Sequence, residues 1–130
     1  MLVVDDNHLI RRLLVMILEA AGLQGIEAES AEDALAFASA TPPDLWLVDE
    51  VMPGMTGSEL VRMLRRSLDR RLSGAPLVGI SGRSGAANDL LAAGCDAFVP
   101  KPVEERHVLD ALRRAVKARR GPAPDHVPTA

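Results

Sequence analysis

The fold is decided by residues 45–57, which read Leu-Trp-Leu-Val-Asp-Glu-Val-Met-Pro-Gly-Met-Thr-Gly. The first four residues are apolar and bulky, a pattern typical of a strand that is buried on both faces of a parallel sheet. Asp49 follows where this apolar run stops, and Pro53-Gly54 predicts a loop behind it. Thr56-Gly57-Ser58-Glu59 has the spacing of a capping box, so a helix should begin there. The stretch therefore predicts a strand, a carboxylate at its carboxyl end and then a helix.

Three other short apolar runs end at a polar residue in the same way. Leu2-Val3-Val4 precedes Asp5-Asp6, the run from Leu77 to Ile80 precedes Ser81, and Ala97-Phe98-Val99-Pro100 precedes Lys101. Ligands of open α/β sheets bind beyond the carboxyl ends of the strands, so we expect these side chains to meet Asp49 at one edge. Carboxylates that share a small site disfavour one another's ionisation. The pattern therefore predicts a metal cation among the three aspartates.

Helical patterns separate the strands. The clearest is an apolar stripe that ends at Gly22 and consists of Ile10, Leu13, Leu14, Ile17, Leu18 and Ala21. A short strand is predicted at about residues 25–28 and a second helix over about 30–40. The helix after Thr56 should expose Arg65 and bury Leu60, Val61, Leu64 and Leu68. A weak helix should end near Gly94, and the last should begin at Pro102 and stop before Gly121.

The count of elements predicts the fold class. Five strands that alternate with five helices favour an α/β domain with a doubly wound, five-stranded parallel sheet over residues 1–120. Residues 121–130 contain three prolines and no apolar period, so we expect a disordered C-terminal tail there.

The composition excludes several classes of protein. The 130 residues carry a net charge of −3, which gives no reason to expect direct DNA binding by the surface as a whole. Basic residues crowd the end of the last helix, where they match the helix dipole. One cysteine, Cys95, rules out an internal disulfide and fits a reducing compartment. No signal peptide and no bilayer-spanning stretch are expected, which favours a cytoplasmic protein without membrane contact.

Taken together in this order, the motifs resemble those of the receiver domains of two-component response regulators. The resemblance covers roughly residues 1–120. It is carried by Val3-Val4-Asp5-Asp6-Asn7, Leu47-Val48-Asp49, Met52-Pro53-Gly54-Met55-Thr56-Gly57, Ile80-Ser81-Gly82 and Phe98-Val99-Pro100-Lys101-Pro102. It implies a (βα)5, flavodoxin-like sheet in the strand order 2-1-3-4-5. It also implies a signalling phosphoacceptor, which is not an enzyme with a separate substrate.

Residue type suggests the role of each site residue. Asp49 is the expected phosphoacceptor, since its carboxylate can take a phosphoryl group as an acyl phosphate. Mg²⁺ is the expected cofactor, with Asp6 as a direct ligand beside Asp49 and Asp5 holding a metal-bound water. The resemblance adds the backbone carbonyl of Val51 as a further ligand. Ser81 and Lys101 are expected to bind the phosphoryl oxygens.

The resemblance also implies a switch and a peptide isomer. Ser81, drawn toward the phosphoryl group, would open space that Phe98 can fill, which shifts an existing equilibrium. Phe98 has no hydroxyl, so this switch would act by burial, and an ordinary core phenylalanine is an equal alternative. Lys101-Pro102 is the candidate for a cis peptide bond, which costs little before proline.

The implied partners are proteins. The phosphoryl donor would be a histidine kinase or a histidine phosphotransfer domain, with Leu9 and Arg12 as candidate docking residues. Output would pass to a partner protein that the sequence does not identify, and a homodimer is compatible with this interpretation.

Two alternatives stay open. One is a phosphorylation-independent pseudo-receiver that only binds partners. The other is an aspartyl-phosphate phosphatase of the haloacid dehalogenase type. That class needs Asp-x-Asp at the end of its first strand, whereas this chain has Asp5-Asp6-Asn7.

Overall fold

The computed structural model describes residues 1–83 and 85–120, so the predicted tail at 121–130 lies outside the described residues. Five parallel strands form one sheet in the order β2-β1-β3-β4-β5, as expected. The elements are β1 (Leu2–Val4), α1 (His8–Ala20), β2 (Ile26–Ala28), α2 (Ala31–Ala40), β3 (Trp46–Asp49), α3 (Gly57–Arg65), α4 (Arg70–Ser73), β4 (Leu77–Ser81), α5 (Ala86–Ala93), β5 (Ala97–Pro100) and α6 (Glu105–Arg120).

The sheet is covered on both faces because its strand residues alternate between two apolar clusters. Trp46 and Val48 of β3 pack with α2, α3 and α5, whereas Leu47 between them packs with α1 and α6. Successive strand residues point to opposite faces, so a strand covered on both sides must be apolar throughout. The continuous apolar runs of the sequence are explained by this layering.

The buried stripe of α1 differs from the prediction. Leu13 is 42% exposed and Ala21 is exposed, whereas Val15, which was not in the predicted stripe, is buried. The reason lies in the start of β2. Gly25 lies so close to α1 that a Cβ atom there would come within 3.2 Å of the Val15 methyl groups. The backbone of Gly25 therefore covers Val15 and keeps it from solvent.

The region after α3 also differs from the prediction. α3 ends at Arg65, so Leu68 is fully exposed in the following loop and does not reach the core. The side chain of Asp69 accepts a hydrogen bond from the Arg71 amide and begins the short helix α4. The described residues therefore contain six helices, where five were predicted.

The last helix begins later than expected. Pro102 is not its first residue, because the backbone carbonyl of Glu104 accepts the amides of His107 and Val108 and α6 starts at Glu105. Among the described residues, no helix combines the length and the apolar character that crossing a bilayer would require.

Candidate functional site

The three aspartates meet at the carboxyl edge of the sheet. Val4 of β1 pairs with Val48 of β3, so the residues that follow them, Asp5 and Asp49, lie side by side. One carboxylate oxygen from each of Asp5, Asp6 and Asp49 falls within 4.8 Å of the others. The Lys101 ammonium, at the end of β5, lies 3.1 Å from Oδ1 of Asp49. Four charged groups from three strand ends therefore share one site.

Two of these carboxylates are removed from water. Asp5 is fully buried and Asp49 is 2% exposed, whereas Asp6 is exposed at the rim. Within the described part of the chain, Oδ2 of Asp5 and Oδ1 of Asp49 are buried and lack a hydrogen-bond partner. Oδ1 of Asp49 forms an ion pair with the Lys101 ammonium, which lowers the pKa of Asp49 against the effect of burial. A buried carboxylate oxygen without a partner is costly.

The pKa values reflect this burial. The pKa of Asp49 is raised to about 6, first by burial and next by the neighbouring Asp5 charge, against the opposing effect of Lys101. Burial also raises the pKa of Asp5, although the Asn7 amide that donates to its Oδ1 partly offsets the effect. Both directions show that the fold places negative charge where it is poorly solvated.

The residues present fit a magnesium ion. The donors are all oxygens, which a small hard cation prefers, and Mg²⁺ commonly uses one or two carboxylates and keeps several waters. Oδ2 of Asp5 accepts no hydrogen bond and is available to such an ion, which would compete with Lys101 for Oδ1 of Asp49. The side chain of Val51 is more than half exposed just beyond Asp49 and Glu50, where its backbone carbonyl is the proposed further ligand.

The Asp5-Asp6 turn is held by residues of α1. The side-chain oxygen of Asn7 accepts the Leu9 and Ile10 amides and caps the helix. The Arg11 guanidinium donates to the backbone carbonyl of Asp5 at 2.8 Å and to Oε1 of Glu27 at 2.8 Å. Arg11 thus ties β1, α1 and β2 together behind the acids. No sequence pattern marked it, because its partners are distant in sequence.

Ser81 and Lys101 are joined through the backbone at the next strand ends. The Lys101 amide donates to the Ser81 carbonyl at 3.2 Å, and the buried Ser81 hydroxyl accepts the Arg83 amide at 3.1 Å. A Cβ atom at Gly82 would lie 3.1 Å from the Lys101 Cβ, so the chain passes close beneath the lysine. The Lys101-Pro102 peptide bond is cis.

Phe98 lies deeper in the sheet. It pairs with Gly79 of β4 and is half-buried against the apolar cluster that includes Trp46 and Leu90. This position is compatible both with a switch and with ordinary packing.

Glu50 is a further residue beside the site. Its side chain leaves the acid cluster, as strand alternation predicts, and is buried against the start of α3. Its carboxylate accepts the amide of Ser58 at 2.9 Å and also the Ser58 hydroxyl. The sequence carried no signal for this pairing beyond an acidic residue next to Asp49.

This fold is that of the receiver domains of response regulators. The family described as "Response regulator receiver domain" matches residues 1–113. The chain therefore belongs to this family of two-component signalling domains.

Several relatives support this assignment. The chain is 34% identical over 129 residues to the phosphate regulon transcriptional regulatory protein PhoB of Pseudomonas aeruginosa, covering 98% of this chain and 55% of the relative. It is 36% identical to the transcriptional regulatory protein ResD of Bacillus subtilis, covering 88% of this chain and 48% of that protein. It is 27% identical to the polar-differentiation response regulator DivK of Brucella ovis, covering 86% of this chain and 91% of DivK. The chain thus spans about half the length of PhoB and ResD.

Solved structures agree with this fold. The chemotaxis protein CheY4 of Vibrio cholerae superposes with a TM-score of 0.79 and 28% identity, covering 88% of this chain and 95% of CheY4. The signal receiver domain of a signal transduction histidine kinase from Syntrophus aciditrophicus superposes with a TM-score of 0.80 and 29% identity, covering 90% of this chain and 89% of that one.

Proposed function

We propose that this receiver domain is a magnesium-dependent phosphoacceptor of a two-component phosphorelay, with Asp49 as the acceptor. The observation that carries the proposal is the nearly buried Asp49 carboxylate, which lies beside two other carboxylates and one ammonium at the ligand-binding edge of the sheet. Such a cluster is costly for stability alone, because replacing buried charges by apolar residues is often neutral or stabilising.

The proposed reaction moves a phosphoryl group from a phosphohistidine to Asp49. An Asp49 oxygen forms a bond to phosphorus as the phosphorus–nitrogen bond breaks, and the leaving imidazole takes up a proton from solvent. Asp5, Asp6, Asp49 and the Val51 carbonyl would hold Mg²⁺. When bound, this ion supplies positive charge against the oxygens of the transferred group. Lys101 would bind one phosphoryl oxygen as an ammonium, and the Ser81 hydroxyl would donate to another.

Lys101 must move for this reaction to occur. Its ammonium is seated against Asp49 at 3.1 Å, and Asp49 has almost no exposed surface. The lysine side chain is one quarter exposed, so it can move outward into solvent. Its flexible stem suits a group that first pairs with the acceptor and then with the phosphoryl group.

The donor would dock on the exposed face of α1, which starts beside the Asp5-Asp6 turn. Leu9, Leu13 and Met16 are all exposed there at helical spacing and form an apolar stripe. Arg12 lies on the same helix but donates to Glu27 at 2.8 Å, which limits its freedom to contact a partner. A histidine kinase or a histidine phosphotransfer domain is the proposed donor. Output would follow by contact with a partner protein or a second copy, in the cytoplasm.

The testing experiment is incubation with Mg²⁺ and acetyl phosphate, followed by intact mass measurement. The proposal expects one added phosphoryl group on the wild type, with none on Asp49→Asn and none when a chelator removes the metal. Absence of the adduct on the wild type would favour the pseudo-receiver. Continuous turnover of small phosphate esters would instead favour the phosphatase.

A further inference from the structure

The loop of residues 51–56 leaves β3 directly after the proposed acceptor and returns into α3. Its base is closed by Glu50 on one side and by Gly57 and Ser58 on the other. The Gly57 amide donates to the Glu50 carbonyl at 3.0 Å, and the Ser58 amide donates to Glu50 Oε1 at 2.9 Å. The Ser58 hydroxyl donates to the second carboxylate oxygen of Glu50. The Glu50 amide itself donates to the Ile80 carbonyl of β4 at 3.1 Å.

These contacts at the base of the loop are buried and bring α3 against β3. Glu50 is 4% exposed and Ser58 is 5% exposed. A Cβ atom at Gly57 would lie 2.2 Å from the backbone oxygen of Asp49, so the helix starts in direct contact with the acceptor residue. The carboxylate of Glu50 also lies at the amino end of α3, where backbone amides stabilise negative charge.

Helix capping alone does not explain Glu50. Thr56 and Glu59 already form a complete capping box at the start of α3, on its exposed side. The Glu50–Ser58 pair adds a second, buried attachment that fixes the loop to the strand. A buried carboxylate is weak evidence for stability, and its bonds here act on the segment that carries Val51.

We propose that Glu50 is a positioning residue for the acceptor site. Through Ser58 it closes the base of the 51–56 loop and holds the Val51 carbonyl beside Asp49, where a magnesium ligand is needed. This inference rests on the proposed function, since it concerns the metal of that same site. Residues that orient the direct ligands of a metal commonly affect its affinity strongly.

The test compares Ser58→Ala and Glu50→Gln with Glu59→Ala. Glu59→Ala weakens the start of the same helix from its exposed side and leaves the Glu50–Ser58 pair intact. The first readout is hydrogen exchange of the 51–56 amides in metal-free protein, and the second is the Mg²⁺ dissociation constant by calorimetry. Thermal unfolding of each variant confirms that it is folded.

We expect Ser58→Ala to speed exchange in the loop and to raise the Mg²⁺ dissociation constant about tenfold. Glu50→Gln keeps an acceptor for the Ser58 amide and should give an intermediate value. Glu59→Ala should lower the melting temperature and leave the Mg²⁺ dissociation constant unchanged. The inference is overturned if Ser58→Ala and Glu50→Gln bind Mg²⁺ within twofold of the wild type, or if Glu59→Ala weakens binding as much as they do.

Failure of the proposed function would look different. In that case the wild type itself would bind no Mg²⁺ and take no phosphoryl group. Loss of binding in the variants alone, with normal binding in the wild type, supports the role of Glu50.

Discussion

The Lys101 ammonium lies 3.1 Å from the buried Oδ1 of Asp49. Asp49 ends β3 and Lys101 directly follows β5, and these two strands are separated by β4 in the sheet. The ion pair therefore spans the end of the neighbouring strand, and under the proposed function Lys101 would have to give way to the phosphoryl group. This arrangement leads to predictions about metal binding, pH and partner recognition.

Removing Lys101 should strengthen magnesium binding and slow phosphorylation. In Lys101→Ala no ammonium competes with the metal for Asp49, so we expect the Mg²⁺ dissociation constant to fall about threefold at pH 8, in line with a partly exposed ion pair. The same variant loses a cation that would bind the phosphoryl oxygens, so phosphorylation by acetyl phosphate should slow by about tenfold or more. Lys117→Ala, an exposed lysine on α6, is the matched control. Weaker Mg²⁺ binding in Lys101→Ala would contradict the competition between the two cations.

The raised pKa of Asp49 predicts a pH-dependent penalty in metal-free protein. Because burial raises this pKa from 3.8 to about 6, the folded state holds a proton that the unfolded state releases. The ionised carboxylate therefore destabilises the folded state most above pH 6, and this penalty shrinks as the pH falls from 6 toward 4. Asp49→Asn should be more stable than the wild type at pH 7.5 by about 1–2 kcal/mol, and this gain should shrink toward pH 4.

Chemical unfolding at several pH values in the presence of a chelator measures this effect. Asp44→Asn, which changes an exposed carboxylate before the amino end of β3, serves as the control and should show no such gain. Added Mg²⁺ should stabilise the wild type and not Asp49→Asn. Equal stability of the wild type and Asp49→Asn at pH 7.5 would show that the ionised Asp49 carboxylate does not destabilise the folded state.

Arg65 should be a major contributor to stability at the opposite edge of the sheet. Its guanidinium donates to the carbonyls of Gly94, Ser73 and Ala75 and to the Asp96 carboxylate, at 2.7–2.9 Å. We expect Arg65→Ala to lower the free energy of unfolding by about 2–4 kcal/mol, because it leaves partly buried acceptors without a donor. Arg62→Ala, an exposed position on the same helix, should change it by less than about 0.5 kcal/mol. Urea denaturation distinguishes the two, and Mg²⁺ affinity should be unchanged in both.

The apolar stripe on α1 should matter only for protein donors. Leu9 is 77% exposed and Met16 is 60% exposed, so Leu9→Asp and Met16→Asp should leave the fold intact. Phosphotransfer from a histidine kinase that labels the wild type should fall about tenfold, because a buried apolar contact is replaced by a charge. The rate with acetyl phosphate should not change. Met63→Asp on α3 is the control. An equal loss of phosphotransfer in this variant would contradict a docking surface confined to α1.

The sheet and the acid cluster could be predicted because they depend on local patterns. Each apolar run is buried on both faces, and each polar residue that ends a run lies at the same edge of the sheet. Asp5, Asp49 and Lys101 are therefore placed by strand position alone. Their proximity needs no knowledge of side-chain packing.

The remaining features depend on contacts between distant segments. Arg65 was expected to face solvent, yet its side chain is largely buried because carbonyls from two separate segments, at 73–75 and at Gly94, converge on it. Leu68 fits a helical period, but the helix ends before it once Asp69 begins α4. Val15 is buried because Gly25 lets β2 approach. Contacts between distant segments leave no periodic pattern in the sequence, so the sequence alone does not predict them.

The most direct test of the central claim is to locate the phosphoryl group. After incubation with Mg²⁺ and acetyl phosphate, borohydride reduction converts an aspartyl phosphate to homoserine, and peptide mass spectrometry identifies the modified position. We predict homoserine at position 49 alone, and none after chelation of the metal. A wild-type protein that is folded and binds Mg²⁺, but yields no homoserine at position 49, would contradict the account.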